Sequence, residues 1–372
     1  MEKEIKVAFI GVGNCCSSLN QGLIYYKDSE GNDFVPGLMH TEIGGYKLRD
    51  IKPVCAFDVD KRKVGKDLSE AIFEKPNCTT VYQKEMPNLN APVLMGNLLD
   101  GVSDHMLEYP EDVSFRPITD RESVDVVKEL KDRNVDVLVN YLPVGSQKAA
   151  EFYANCALEA GCAFVNAMPI FIASDPAWVK KFEEKGLPCL GDDIKSQYGA
   201  TFSHRQIVQG FIDRGVKINF TSQENYGGNT DFLNMSDQVR IQSKLRSKTS
   251  SIKTLIPYEI PELYAGPGVG GDSKHGYRPE QKDNKTAVIK VYGTGFGDIP
   301  VKATLHVDCE DSPNSGGIII DAIRCAKLAL DRNISGAITS PSSFFFKHPL
   351  EKVPDAEAKV RAEKYIKGEL ER

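Results

Sequence analysis

The chain begins with a strand that runs into a glycine turn, and no other stretch restricts the fold as much. Ile5-Lys6-Val7-Ala8-Phe9-Ile10 is almost continuously apolar, as befits a strand covered on both faces of a parallel sheet. Gly11-Val12-Gly13-Asn14-Cys15-Cys16 follows, and then a helical pattern from Ser17 to Tyr26. Gly11 permits the tight turn, and Gly13 lets backbone amides approach a pyrophosphate at the helix start. Cys16 replaces the third glycine of the usual fingerprint, so the helix is expected slightly farther from the strand. The second strand, Ile51 to Phe57, ends in Asp58. An acidic strand tip accepts hydrogen bonds from ribose hydroxyls and favours NAD over NADP. The alternative reading of Asp58 is a cap for a helix starting near Lys61. Between Gly11 and Asp58 lies an insertion, 28–50, whose Pro36-Gly37 and Gly44-Gly45 read as a long, partly ordered loop.

The pattern repeats downstream. Strands are expected at 135–140, 163–167 and 187–190, with Pro143 and Gly145 breaking the first before a helix from Ser146 to Ala160. Alternating strands and helices imply a doubly wound parallel α/β sheet, with ligands beyond the carboxyl ends of the strands. Asn140, Asn166, Asp192 and Asp193 stand at those ends, and four polar ends in succession point to a working cleft. After Ser196 the character changes. A helix from Thr201 to Arg214 presents its N-terminus, with Gly199 and Thr201, to an anion. Two long alternating strands, 287–292 and 301–307, are joined through Gly293 to Pro300 and read as an antiparallel pair. An α+β region with an open sheet follows, whose free face suits oligomerisation. Residues 257–278, rich in Pro and Gly, read as a loop. A helix from Ile318 to Leu330 is placed to return the chain to the nucleotide domain.

Asn225-Tyr226-Gly227-Gly228-Asn229-Thr230-Asp231, with Lys244 and Lys248 beyond it, reads as a second pocket. Glycines let backbone amides approach a ligand, and lysines four apart share one helix face. Two ammonium groups side by side repel unless an anion lies between them, so the pocket is expected to take something polar and phosphorylated. The net charge of −6 excludes a global attraction to nucleic acid or anionic membranes. No apolar run is long enough to span a bilayer, and the N-terminus has no signal-peptide pattern. Nine cysteines without a CxxC pair or a metal-ligand spacing read as reduced thiols in a cytoplasmic protein.

Together these motifs resemble the myo-inositol-1-phosphate synthases, in their shorter bacterial and archaeal form. The carriers are Gly11-Val-Gly-Asn-Cys, Asn140-Tyr-Leu-Pro-Val-Gly-Ser, Gly191-Asp-Asp-Ile-Lys-Ser, Asn225-Tyr-Gly-Gly-Asn, Asp231-Phe-Leu-Asn-Met and Asp311-Ser-Pro-Asn-Ser. The resemblance spans nearly the whole chain. It implies a Rossmann domain (1–195), a central α+β catalytic and tetramerisation domain (196–312) and a C-terminal segment (313–372) returning to the first. It also implies a homotetramer, bound NAD and conversion of glucose 6-phosphate to inositol 1-phosphate by oxidation, enolisation, ring closure and reduction. Matched residue by residue, Lys244 is the proton-transfer lysine near the oxidised hydroxyl, Lys248 holds phosphate, and Lys347 stabilises the developing oxyanion. Asp193 and Asp311 orient lysines and hydroxyls. Asn225, Asn229 and Asp231 face substrate hydroxyls, while Ser196, Gly199 and Thr201 cradle the phosphate. Gly11, Gly13, Asn14, Cys15, Asp58, Asn140, Pro143, Asn166 and Asp192 fall to the cofactor. One position departs: longer members carry a lysine where this chain has Pro300. Lys285, Lys290 or a divalent metal held by Asp193, Asp311 and Ser312 is left to replace it. Two other functions stay open, an NAD-dependent dehydrogenase of a phosphorylated sugar with net redox turnover and a non-catalytic NAD-binding regulator.

Overall fold

A computed structural model describes residues 3–31, 34–268 and 276–372. Seven parallel strands form the main sheet. In chain order they are β1 (Ile5–Ile10), β4 (Ile51–Asp58), β5 (Val93–Met95), β6 (Val137–Asn140), β7 (Ala163–Asn166), β8 (Pro188–Leu190) and β13 (Gly336–Ala337). Their spatial order is β13-β8-β7-β6-β1-β4-β5. The order reverses at β1, where β4 pairs on one side and β6 on the other. A crevice at the carboxyl end of such a switch point is where ligands enter a doubly wound sheet. Val7, Phe9, Val137, Val139, Ala163 and Val165 are fully buried, and their apolar side chains account for the strands' continuous hydrophobicity.

Helices cover both faces: α1 (Asn14–Tyr25), α2 (Leu68–Ala71), α3 (Val126–Asp132), α4 (Gln147–Ala160), α5 (Pro176–Lys185) and, from the far end of the chain, α9 (Pro313–Asp331), α10 (Thr339–Phe345) and α11 (Asp355–Lys367). The C-terminal residues pack against α1 through α9 and extend the sheet through β13, which pairs with β8. Gly161 and Gly186 end α4 and α5 in the left-handed conformation that glycine adopts without strain.

The second sheet has the order β10-β9-β11-β12: β10 (Glu262–Pro267) lies parallel to β9 (Lys217–Gly227), and β11 (Asn284–Thr294) lies antiparallel to β9 and β12 (Pro300–Glu310). The helices α6 (Ala200–Asp213) and α8 (Gln242–Lys253) pack beside it, with short α7 (Thr230–Asn234) joining β9 to α8.

Several expectations need correction. The 28–50 insertion contains a hairpin, β2 (Glu42–Ile43) with β3 (Tyr46–Lys47), tied down by Tyr46 Oη donating to Asp331 at 2.6 Å. Residues 257–278 are not one loop: 262–267 form β10, which alternates poorly in polarity but gains a full ladder from β9, and 269–275 lie outside the described residues. No helix starts near Lys61. Residues 61–65 form turns, and α2 begins at Leu68 behind its own cap, Asp67.

Candidate active site

One cavity runs from the glycine turn to a group of lysines. At its first end lie Gly11, Val12, Gly13 and Asn14, with Asp58 and Val59 beside them and Leu98, Val102 and Phe115 as an apolar wall. Gly11 has φ +87°, and a Cβ there would sit 2.8 Å from Tyr141 O, so only glycine fits. Gly13 precedes the first residue of α1, and a Cβ on it would meet nothing within 4 Å. That open space lies before free N–H groups of a helix start, with no acidic side chain in the first turn to compete for them. The residues present fit a dinucleotide.

Asp58 works as a clasp. Its Oδ2 accepts from Val12 N–H at 2.7 Å, and its Oδ1 accepts from Val59 and Asp60 N–H at 2.7 and 2.8 Å. It caps no helix. Lys63, which nothing in the sequence singles out, is buried behind the turn and donates to Val12 O at 2.7 Å and Asn77 Oδ1 at 2.9 Å. Burial lowers its pKa while Asp58 and Asp60 oppose the fall. Asn14 faces the cavity, but its Oδ1 is engaged by the N–H groups of Cys78 and Thr79.

At the other end Lys244, Lys248, Lys285 and Lys347 line the wall with Asp311, Ser196, Asn229, Asp231 and Ser312. Lys244 and Lys248 come from one face of α8, Lys285 from β11, and Lys347 from the residues after α10. The pivot is Asp193, fully buried behind them at φ +60°. Its Oδ1 accepts from Lys244 Nζ at 2.9 Å and Lys347 Nζ at 3.1 Å, and its Oδ2 accepts from Ser247 Oγ at 2.6 Å. Burial would raise this carboxyl, yet Lys244 and Lys347 overcome it and hold Asp193 well below the usual carboxylate range.

The lysines respond unequally. Burial opposes the charge on Lys244, but Asp193 and Asp231 outweigh it and keep the ammonium protonated. Lys347 is pushed down to about 8, chiefly by burial, with Asp193 resisting and Lys244 and Lys285 assisting. Lys248 falls furthest below the usual lysine range, through burial and then Lys347, Lys244 and Lys285. Lys285 and Asp311 form an ion pair that holds the lysine up and the carboxylate down. Burial and neighbouring cations disfavour the charge on Lys248, and an anion beside it would favour that charge.

Of the residues singled out from sequence, Gly11, Gly13, Asn14, Cys15, Asp58, Pro143, Ser196, Asn229, Asp231, Lys244, Lys248, Asp311, Ser312 and Lys347 reach the cavity wall. Others do not. Asn140, Asn166 and Asp192 form a fully buried chain: Asn140 Nδ2 donates to Asn166 Oδ1 at 2.9 Å, and Asn166 Nδ2 donates to Asp192 Oδ1 at 2.7 Å. Asp192 also accepts from the N–H groups of Ile172, Ala173 and Ser174. These strand ends hold loops in place instead of facing a cleft. Asn225 lies inside β9, donating to Gly266 O at 2.8 Å. Gly199 precedes α6 and Thr201 is buried in its first turn.

The glycine pair also has a different reason. A Cβ on Gly227 would meet the Phe232 ring at 2.5 Å, and one on Gly228 would sit 2.1 Å from Arg278 O. The pair lets chain pack on chain, not on ligand. Asn229 caps α7, accepting from Asp231 and Phe232 N–H at 3.1 Å each.

The suggested metal ligands do not converge. Asp193 is spent on two ammonium groups and a hydroxyl, Asp311 on Lys285, and Ser312 Oγ on Asp283 at 3.0 Å. Among the described residues no three or more His, Cys, Asp or Glu side chains could hold a metal ion. Pro300 starts β12, paired with Thr294 at the far end of the ladder. Of the two lysines that could replace the missing one, Lys285 reaches the cavity and Lys290 does not.

Comparison with known proteins agrees with this geometry. The sequence model of the myo-inositol-1-phosphate synthase family matches residues 199–312. The chain is 47% identical over 366 residues to the inositol-3-phosphate synthase of Mycolicibacterium smegmatis, with 98% of each chain covered. It is 46% identical over 369 residues to the enzyme of that name from Corynebacterium glutamicum, covering 97% of this chain and 98% of the relative. Among solved structures, a myo-inositol-1-phosphate synthase-related protein from Thermotoga maritima superimposes with a TM-score of 0.77 at 25% identity, over 98% of both chains. The chain belongs to the myo-inositol-1-phosphate synthase family.

Proposed function

We propose that this chain is an isomerase that converts glucose 6-phosphate to inositol 1-phosphate, with NAD held on the glycine turn and no net redox change. The observation that carries the reading is a single cavity joining a dinucleotide turn to lysines grouped around one buried carboxylate. A dehydrogenase needs the first half; ring closure through an enolate also needs the second, because it moves protons and stabilises an oxyanion.

NAD supplies the acceptor, and later the donor, of one hydride. Everything else falls to the protein. Lys248, whose charge is opposed by burial and by Lys347, Lys244 and Lys285, binds the phosphate, which favours its charged form, with Ser196 beside it. Lys244 is the proton-transfer lysine at the hydroxyl that is oxidised and restored; since Asp193 and Asp231 keep it charged, it accepts the hydroxyl proton only as it passes its own proton on. Lys347, with a pKa of about 8, has both protonation states at hand near neutral pH and stabilises the enolate oxygen. Lys285, paired with Asp311, supplies the positive charge that Pro300 cannot. No divalent metal enters this scheme.

Incubation with glucose 6-phosphate and NAD, followed by NADH absorbance and phosphorus NMR, tests the reading. Inositol phosphate without net NADH is expected. Stoichiometric NADH would identify a dehydrogenase, and no turnover a regulator. Asp58→Ala tests the cofactor assignment. Loss of hydrogen bonds from a charged acceptor to a ribose should weaken NAD binding by roughly ten- to a hundredfold and narrow the preference over NADP. Unchanged titrations with both dinucleotides would remove Asp58 from the cofactor site.

Exposed Phe296 and Ile299 at the β11–β12 turn support assembly through the second sheet, and we expect a homotetramer in sedimentation. Nine free thiols support a reducing, cytoplasmic setting. Among the described residues no helix is long and apolar enough to cross a membrane.

A further inference from the structure

A buried ion cluster joins the end of α8 to the start of α11, and the chemistry above leaves it unused. Asp355, in the first turn of α11, is buried with Lys195 and Arg205. Its Oδ1 accepts from Lys195 Nζ at 2.5 Å, and its Oδ2 accepts from Arg205 Nε at 2.6 Å. Arg205, on α6, reaches further. Its Nη2 donates to Val353 O at 2.7 Å, and its Nη1 donates to Ser251 O in the last turn of α8. That carbonyl is free of its usual helical partner, because Leu255 N–H turns to Ile252 O at 3.0 Å. A cation at the end of one helix and a carboxylate at the start of another both complement the helix dipoles. Here the two are also paired with each other. A guanidinium presents its donors as a rigid fork, and this one meets acceptors on three segments.

Those segments carry the lysines of the cavity. Lys248 and Lys244 lie about one and two turns before Ser251 on α8. Lys347 comes from the stretch that leads to Val353 and Asp355. Its N–H donates to Asp193 O at 2.7 Å, with His348 N–H on Asp192 O at 3.0 Å and Lys195 N–H on Phe345 O at 2.8 Å. Residues 345–348 are thus tied by backbone to 192–195, and the ammonium groups of Lys347 and Lys244 meet on one oxygen, Asp193 Oδ1. Like charges so placed repel, which works to part α8 from the Lys347 segment. Ser247 Oγ on Asp193 Oδ2, at 2.6 Å, and Ser250 Oγ, 2.9 Å from His348 Nδ1, oppose that parting at two points. Arg205 opposes it at a third, outside the cavity lining, and holds α8 to two residues beyond Lys347 at once.

We propose that Arg205, braced by Asp355, is a positioning residue: a clamp that sets Lys347 against the lysines of α8. The inference rests on the assignment of Lys347 to the enolate oxygen. The charges that face Lys347 are Asp193, Lys244, Lys285, Lys248 and Asp311. Burial, Lys244 and Lys285 disfavour its charge, and Asp193 favours it. Without the clamp, α8 moves off and water reaches Lys347, while Asp193 stays beside it through the backbone pairing. The lysine then becomes more basic, and its ammonium group is no longer fixed where the oxyanion forms.

The cluster holds two cations for one carboxylate, so removing either cation leaves a matched buried pair, whereas Asp355→Asn would strand both. Arg205→Met removes all three bonds of the clamp. Lys195→Met removes the other cation and leaves the clamp in place. The readout is the basic limb of kcat with glucose 6-phosphate, expressed per bound dinucleotide, which reports groups in the enzyme–substrate complex. In Arg205→Met kcat at neutral pH should fall about ten- to a hundredfold, the cost of a displaced catalytic group. The limb should also move up by about one pH unit as Lys347 becomes more basic. Lys195→Met should keep the wild-type limb, although it too unfolds at lower temperature. Mere loss of folded protein lowers the rate alike at every pH and leaves the limb where it was. Arg205→Lys keeps a charge for Asp355 but cannot span three acceptors; it should move the limb in the same direction and serves if Arg205→Met does not fold. An unmoved limb in the Arg205 variants, or equal shifts in Arg205→Met and Lys195→Met, overturns the clamp. Lys347→Met separates the two assignments. Wild-type kcat in that variant would remove Lys347 from the enolate step and the clamp with it. A lowered kcat there, alongside an unmoved limb in Arg205→Met, would sink the clamp alone.

Discussion

Lys244→Ala should lower turnover of glucose 6-phosphate by about 10²–10⁴-fold, the usual contribution of a positioned proton-transfer group, while the dinucleotide stays bound. The separation follows from the cavity's two ends. Lys244 lies in the lysine group and touches Asp193, whereas the glycine turn and Asp58 clasp are built from β1, α1 and β4. Removing the side chain leaves Asp193 with Lys347 and Ser247 as partners, so the carboxylate is not orphaned and the fold should survive. Cofactor content measured on the purified variant, next to its rate, checks both halves. Retained activity would take Lys244 out of the mechanism, and loss of cofactor with activity would show that the two ends are not independent.

Asp193→Asn should have the largest effect on stability. Asparagine tolerates the left-handed backbone at φ +60°, so the change removes charge without backbone strain. It leaves Lys244 and Lys347 buried without their shared counter-charge, close to Lys248 and Lys285. Breaking a buried ion pair by removing one partner costs about 3–5 kcal/mol. The pH dependence has a definite sign. Because the folded-state pKa of Asp193 is depressed, its contribution is fully present above the unfolded carboxyl value of about 3.9 and is lost as pH falls through the folded value. The difference between wild type and variant should therefore be level between about pH 5 and 7 and shrink under strongly acidic conditions. Denaturant unfolding across that range measures it. A variant as stable as wild type at neutral pH would mean that the lysines shed their protons at no cost, contrary to the ion pairs seen.

The fold was legible where periodicity decides it. The first strand, the parallel α/β order and the β11–β12 pair followed from apolar runs, alternation and turn residues, because those patterns report burial directly. β10 was missed because its strand character comes from pairing with β9, a tertiary effect absent from the local sequence. At the site, sequence marked which residues carry polarity but not which way they point. Asn140, Asn166 and Asp192 have the same composition signal as ligand-binding strand ends, yet they turn inward onto each other. Gly227 and Gly228 looked like an approach for a ligand, and the approaching group is the chain itself. Lys63 could not be told from an ordinary surface lysine, nor Lys285 from Lys290, since their meaning depends on what faces them in the fold.

The pairing of β13 with β8, and of α9 with α1, has a consequence for synthesis on the ribosome. The sheet starts with β1 and is completed by β13, which follows the other strands in the chain, so α1 waits for α9 before that part of its apolar face is covered. Lys347 arrives in that same late stretch. A nascent chain can form the glycine turn long before it can hold the lysine group together, and until then α1 and the open edge of β8 are exposed. Such long-range closure favours slow folding and leaves partly made chains sticky. It also means that a product terminated before Lys347 lacks one of the four lysines of the cavity even when the other three have been made.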